Sequence, residues 1–128
     1  MKTLLSEVLW IGLGGFLGAN ARYLVNRAAV AWLGASYPYG TLMVNFSGSL
    51  LLGFFLVWTT ERVLADYYLR LLVAIGFCGA YTTFSSFSFE TLKMFEQGHY
   101  WLATSNILGN NLLALAGAVS GAMLARSL

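Results

Sequence analysis

Apolar residues run along this chain in four long blocks, broken only by short polar or glycine-bearing segments. The blocks cover about 4–33, 40–60, 69–96 and 101–125. A helix needs roughly 20 residues to cross the hydrocarbon of a bilayer, so each block is long enough for one span. The separators read as connections. GASYPYG at 34–40 holds the only proline, Pro38, and reads as a turn. ERVLADYY at 61–68 gathers Glu61, Arg62 and Asp66 and reads as a surface loop. EQGHY at 96–100 reads as a short turn. The pattern predicts an all-α integral membrane protein with four transmembrane helices in one domain, 1–128, and no room for a soluble domain.

Composition agrees. Of 128 residues, 59% are hydrophobic and 9% charged, and mean hydropathy is +0.72. A soluble domain carries about a quarter charged residues, and a fold this small has no interior for so much apolar side chain. The net charge of +2 comes from seven scattered basic residues, not the clustered patch that nucleic acid requires. One cysteine, Cys78, excludes an internal disulfide and a thiolate cluster, and reads as an inert buried thiol. The start, MKTLLSEVLWIGLGGFLGANA, has a basic residue, an apolar run and Ala19-x-Ala21, as a cleaved signal would. Glu7 interrupts it and three further spans follow, so a first membrane helix is the favoured reading.

Small residues recur at four-residue spacing, Gly14 with Gly18 and Gly117 with Gly121. In lipid such pairs let backbones approach and mark helix–helix faces. The glycines at 12, 14, 15 and 18 fail the G-x-G-x-x-G spacing and lie inside an apolar span, so a nucleotide loop is not expected. With four spans, Lys2, Arg62, Arg70 and Arg126 share one side, and Arg22, Arg27 and Lys93 share the other. Orientation follows the Lys/Arg bias between loops. Four against three is almost no bias. The chain is therefore expected to insert both ways and to pair as an antiparallel oligomer.

Polar side chains within spans are costly and face a partner helix or a water-filled path. Here they fall in register. Thr41 and Asn45 are i, i+4 in span two, and Asn106 and Asn110 repeat the spacing in span four. In span three, GFCGAYTTFSSFSFE at 76–90 sets Thr82, Thr83, Ser85, Ser86 and Ser88 around Phe84 and Phe87. These groups are hydroxyls and amides, which donate hydrogen bonds. Cation and proton paths favour Asp, Glu or His. Yet Glu90 is the one acid deep in span three, and His99 falls in a turn. A donor-rich neutral path with Arg22 near its mouth suits an anion. Ring edges carry positive charge, so Phe84 and Phe87 could help replace an anion's water; on spacing alone, interface packing is the plainer account. Gly76 and Gly79 before the Thr/Ser run admit either a broken or a kinked third helix. Arg22 either snorkels or draws anions, and Glu90 either pairs with a base or caps a polar path.

Four pieces resemble one family: GANARY at 18–23, GTLMVN at 40–45 with Gly48, GFCGAYTTFSSFSFE at 76–90 and NILGNNL at 106–112. Together they make the chain similar to the small bacterial fluoride channels of the Fluc family over essentially its whole length. The resemblance implies an antiparallel, dual-topology homodimer in the bacterial inner membrane, with two pores that let fluoride leave the cell passively. It implies that Asn45, Phe84 and Phe87 line the pore. It makes Thr41, Ser85, Ser88, Asn106 and Asn110 candidates for a polar track, and sets Arg22 near the vestibule. It also implies a structural sodium ion at the dimer interface, held by backbone carbonyls at Gly79 and Thr82, where the third helix breaks near its middle. Two departures stand out. Ala80 replaces a glycine beside the proposed sodium site, and Ser86 replaces a threonine.

Two other classes compete. A small dual-topology, proton-coupled exporter of cationic compounds needs a membrane carboxylate in span one, where the chain has only Glu7, near the start. A helix-packing scaffold explains the glycines but not three aligned polar stripes. No nucleophile–base pair or metal set is visible, so no catalytic residue and no enzyme activity is expected.

Overall fold

A computed structural model describes residues 3–128. Its described residues form four long helical spans joined by short connections, and each is long and apolar enough to cross a membrane. Helix α1 is Leu4–Leu33, capped by the Thr3 hydroxyl on the Ser6 N–H at 3.2 Å. It ends at Gly34, whose φ of +84° suits a residue without a Cβ. Helix α2 is Tyr39–Arg62, and its last turn, Trp58–Arg62, is π-helical. Helix α3 covers 67–81, starting on the Asp66 carboxylate, which accepts from Tyr68 N at 2.9 Å. Its central stretch, Leu71–Cys78, is π-helical. Helix α4 is Phe84–Glu96 and helix α5 is Tyr100–Ser127. The charged connection at 61–68 is shorter than its composition suggests. Only 63–66 leave the helices, because Glu61 and Arg62 extend α2 and Tyr67 already begins α3.

The third span is broken, and threonines break it. Thr82 and Thr83 are both extended, at φ −82°, ψ 157° and φ −151°, ψ 125°. The Thr82 hydroxyl and N–H both bond the Cys78 carbonyl, at 2.9 and 3.1 Å, closing α3. The Thr83 hydroxyl accepts from Ser86 N at 3.2 Å, opening α4. Hydroxyls that compete for backbone groups thus end one helix and start the next.

Glycines set the two closest helix pairs. A Cβ on Gly14 or Gly18 would strike the α3 backbone at Leu72 and Phe77. Gly76 approaches α1 in return, where a Cβ would lie 2.6 Å from the Ile11 carbonyl. Gly117 and Gly121 seat α5 on α2 against Phe46, Leu50 and Phe54, and Gly53 answers against Ala118. Val44 on α2 and Ala103 and Ala125 on α5 have no exposed surface. The outer faces carry exposed Leu, Val, Phe and Trp, as a lipid-facing surface requires. At one end Arg126 holds Glu61 through Nη2 and Nε, at 3.0 and 3.1 Å, and Arg62 donates to the Arg126 carbonyl.

Candidate functional site

The break opens a cavity of about 250 Å³ between α2, α4 and α5. Asn45 and Ser49 line it from α2, Thr82 and Thr83 from the break, Phe84 and Phe87 from α4, and Asn110, Asn111 and Ala114 from α5. Five predicted residues therefore meet there: Asn45, Thr82, Phe84, Phe87 and Asn110.

Asn45 is the hub. A primary amide presents a carbonyl and an N–H in one plane, as a peptide does. Asn45 uses this on Thr83, accepting its N–H at Oδ1 (2.8 Å) and donating to its carbonyl (3.0 Å). The extended Thr83, which cannot complete a helical ladder, gains both backbone partners from one side chain. The second Asn45 N–H goes to Asn110 Oδ1 at 2.8 Å. Asn110 donates to the Asn106 carbonyl and to Asn106 Oδ1, at 3.0 and 2.9 Å. Asn106 donates to Thr91 Oγ1 at 3.0 Å, and Thr91 donates to the Phe87 carbonyl at 2.7 Å. A directed chain of hydrogen bonds thus links the break in span three, α2, α5 and the backbone behind the Phe87 ring. Buried polar groups require such partners.

The two rings meet edge to face, with centroids 5.3 Å apart. They differ in cover. Phe87 is 7% exposed, while Phe84 is 75% exposed on the outside of the single chain.

The other predicted residues lie elsewhere. Asn106 is fully buried and stands behind Asn110. Thr41 donates at 2.7 Å to Glu90 Oε1, at a second cavity of about 450 Å³ that also takes in Asn26, Tyr37 and Lys93. Glu90 Oε2 is buried there without a partner among the described residues. Ser85 and Ser88 are exposed, and the Ser88 hydroxyl bonds back to Phe84 O at 2.9 Å. Arg22 is half-buried on α1 and lines neither cavity. Gly79 is exposed, with open space where a Cβ would stand. Among the described residues no three His, Cys, Asp or Glu side chains gather to hold a metal, so a cation at the break would rely on carbonyls and hydroxyls.

Sequence reasoning missed Ser49, Thr91 and Asn111 as members of the site. Thr91 was findable, four residues after Phe87 on the same helical face. So was Ser49, four after Asn45.

A family model described as CrcB-like protein, Camphor Resistance (CrcB), matches residues 9–122. The chain belongs to this CrcB-like family. A relative from Koribacter versatilis (strain Ellin345), named fluoride-specific ion channel FluC, is 52% identical over 122 residues, 95% of this chain and 97% of the relative. One of the same name from Magnetococcus marinus is 42% identical over 120 residues, covering 94% and 98%. One from Dehalococcoides mccartyi (strain CBDB1), also so named, is 46% identical, covering 94% and 92%. Family membership bears out the resemblance read from the four motifs. With its four apolar spans, this CrcB-like chain is a multi-pass membrane protein.

Proposed function

We propose that the chain is a fluoride-selective channel that lets fluoride leave the cell passively. The observation that carries this reading is the junction of Phe84, Phe87 and Asn45 at the break in the third span, in a chain whose relatives are named fluoride-specific ion channels. Fluoride is small and strongly hydrated. It enters a narrow dry path only where donors and positive ring edges replace its water, and it leaves only if each site is weak. Asn45 and Asn110 form the amide wall, and Phe84 and Phe87 supply edges. Asn106 holds Asn110 from behind. Thr41, Ser85 and Ser88 belong to the outer polar track, and the Arg22 charge raises the local anion concentration near the mouth.

The functional unit in this reading is an antiparallel homodimer of two oppositely inserted copies. The outward Phe84 ring supports it, since a second copy would cover that ring. The near-even distribution of basic residues supports it too. We infer a structural sodium ion at the break, a reading supported by the Thr83 N–H turning to Asn45 instead of the carbonyl four residues back. The Gly79 and Thr82 carbonyls would hold the ion, which would supply fixed positive charge between the two copies. No bond is made or broken in the transported ion, so the protein is not an enzyme. Exchange of protons for organic cations is not supported. Glu7 sits in the first turn of α1 and accepts from Tyr67 OH at 2.8 Å, with no carboxylate deeper in that span.

Growth tests the proposal. Expression in a bacterium lacking its own fluoride exit route should raise the tolerated fluoride concentration, and Phe87→Ile should abolish the gain. Equal sensitivity with and without the folded wild-type chain would refute it.

A further inference from the structure

Hydroxyls in this protein are mostly committed. Ser47, Thr59, Thr82, Ser88, Thr91 and Thr104 each donate to a carbonyl one turn back, at 2.6–2.9 Å. The cavity at the break is lined by groups just as occupied. Both Asn45 N–H groups go to Thr83 and Asn110, and the Asn110 amide is spent on Asn106. Asn111 is exposed, and one of its two amide N–H groups is pinned to the Ile107 carbonyl at 2.8 Å. Among the described residues Ser49 is the one hydroxyl of this lining that is uncommitted. It is half-buried on α2, one turn beyond Asn45, and it lines the cavity with Phe84 and Phe87. Among the described residues its hydroxyl has no hydrogen bond, neither to its own helix nor across the cavity.

We infer that Ser49 is a fluoride-contacting residue, whose uncommitted O–H replaces one of the anion's waters inside the cavity. The inference rests on the channel reading and adds a donor to it. An anion drawn in by ring edges alone would lose more hydration than the edges return. The Asn45 and Asn110 donors can bind it only by giving up the bonds that hold the break and α5 together. A hydroxyl rotates freely and carries no such debt to the fold. It can turn to the anion as it arrives and release it without breaking an internal bond, which suits passage over capture.

The test is fluoride efflux from sodium-containing liposomes with the purified full-length chain and its Ser49→Ala and Ser49→Thr variants. Ser49→Ala should slow efflux about tenfold, the loss expected for one hydrogen bond to a charged species, and raise the half-saturating fluoride concentration. Ser49→Thr, which keeps the hydroxyl, should stay within about twofold of wild type. Elution volume in detergent checks assembly; if Ser49→Ala misassembles, Ser49→Cys, a poorer donor, should show an intermediate loss. Wild-type efflux with an unchanged Ser49→Ala overturns the role of Ser49 alone. So do equal losses in Ser49→Ala and Ser49→Thr, which would make the position a packing site. No efflux from the wild type defeats the channel reading and this inference together.

Discussion

Asn106 has no exposed surface and touches no cavity, yet it stands between the Thr91 hydroxyl and the Asn110 amide. Removing Thr91 leaves a buried Asn106 N–H without its acceptor, and removing Asn106 takes the side-chain acceptor from Asn110. Asn106→Leu and Thr91→Val should each destabilise the protein in detergent by about 1–3 kcal/mol. The double variant should lose less than the sum, by about 1 kcal/mol, as interhelical hydrogen bonds in lipid permit. Strict additivity in an unfolding titration would show that the pair is not coupled. These residues were only partly legible. Spacing set Thr41 with Asn45 and Asn106 with Asn110 on common faces. It could not say that Thr41 would reach Glu90 while Asn45 reached Thr83, since the pairings span 49 and 38 residues. Nor could it show that the amide donors of the site would be spent on one another, because that depends on three helices meeting.

At the scale of elements, the four spans followed from hydropathy, because lipid leaves a helix no alternative, while the charged 61–68 segment hid that Glu61, Arg62 and Tyr67 belong to the helices. The glycine pairs were read as packing faces, and they seat α1 on α3 and α5 on α2. Gly121→Val should therefore push α5 off the Leu50 and Phe54 backbone. An overpacked core loses about 1–3 kcal/mol or more. Here the clash is with backbone, so a monodisperse elution peak should be lost. Gly12→Ala, with nothing within 4 Å of the new Cβ, should elute as wild type. A normal peak for Gly121→Val would mean that α2 and α5 are less tightly seated. The position of the break was less legible. Glycines 76 and 79 drew attention to the right segment, but Gly76 seats α1 and Gly79 faces open space. The two threonines end the helix because their hydroxyls capture backbone groups. The π-helical stretches at Trp58–Arg62 and Leu71–Cys78 had no sequence signal.

For the whole molecule, the near-even distribution of basic residues along the sequence motivates the proposal that the chain inserts in both orientations. Leu64, 97% exposed in the 63–66 connection, offers a direct test. A Leu64→Cys variant should react with an impermeant maleimide from both faces of the cell membrane, about half of the chains from each. Cys78 is buried and should add little. Labelling from one face alone would contradict dual topology and the antiparallel pair. The outward Phe84 ring belongs to this scale as well. A single chain leaves it uncovered, and in the proposed antiparallel pair the second copy would cover it beside the break.

A fluoride-selective channel passes fluoride and little else. Liposomes loaded with either fluoride or chloride, carrying the purified chain and a potassium ionophore with sodium present, test it most directly. Rapid fluoride efflux, chloride efflux no faster than from empty liposomes, and loss of the fluoride signal in Phe84→Ile are expected. Fluoride efflux no faster than from empty liposomes, with the protein folded, would contradict it.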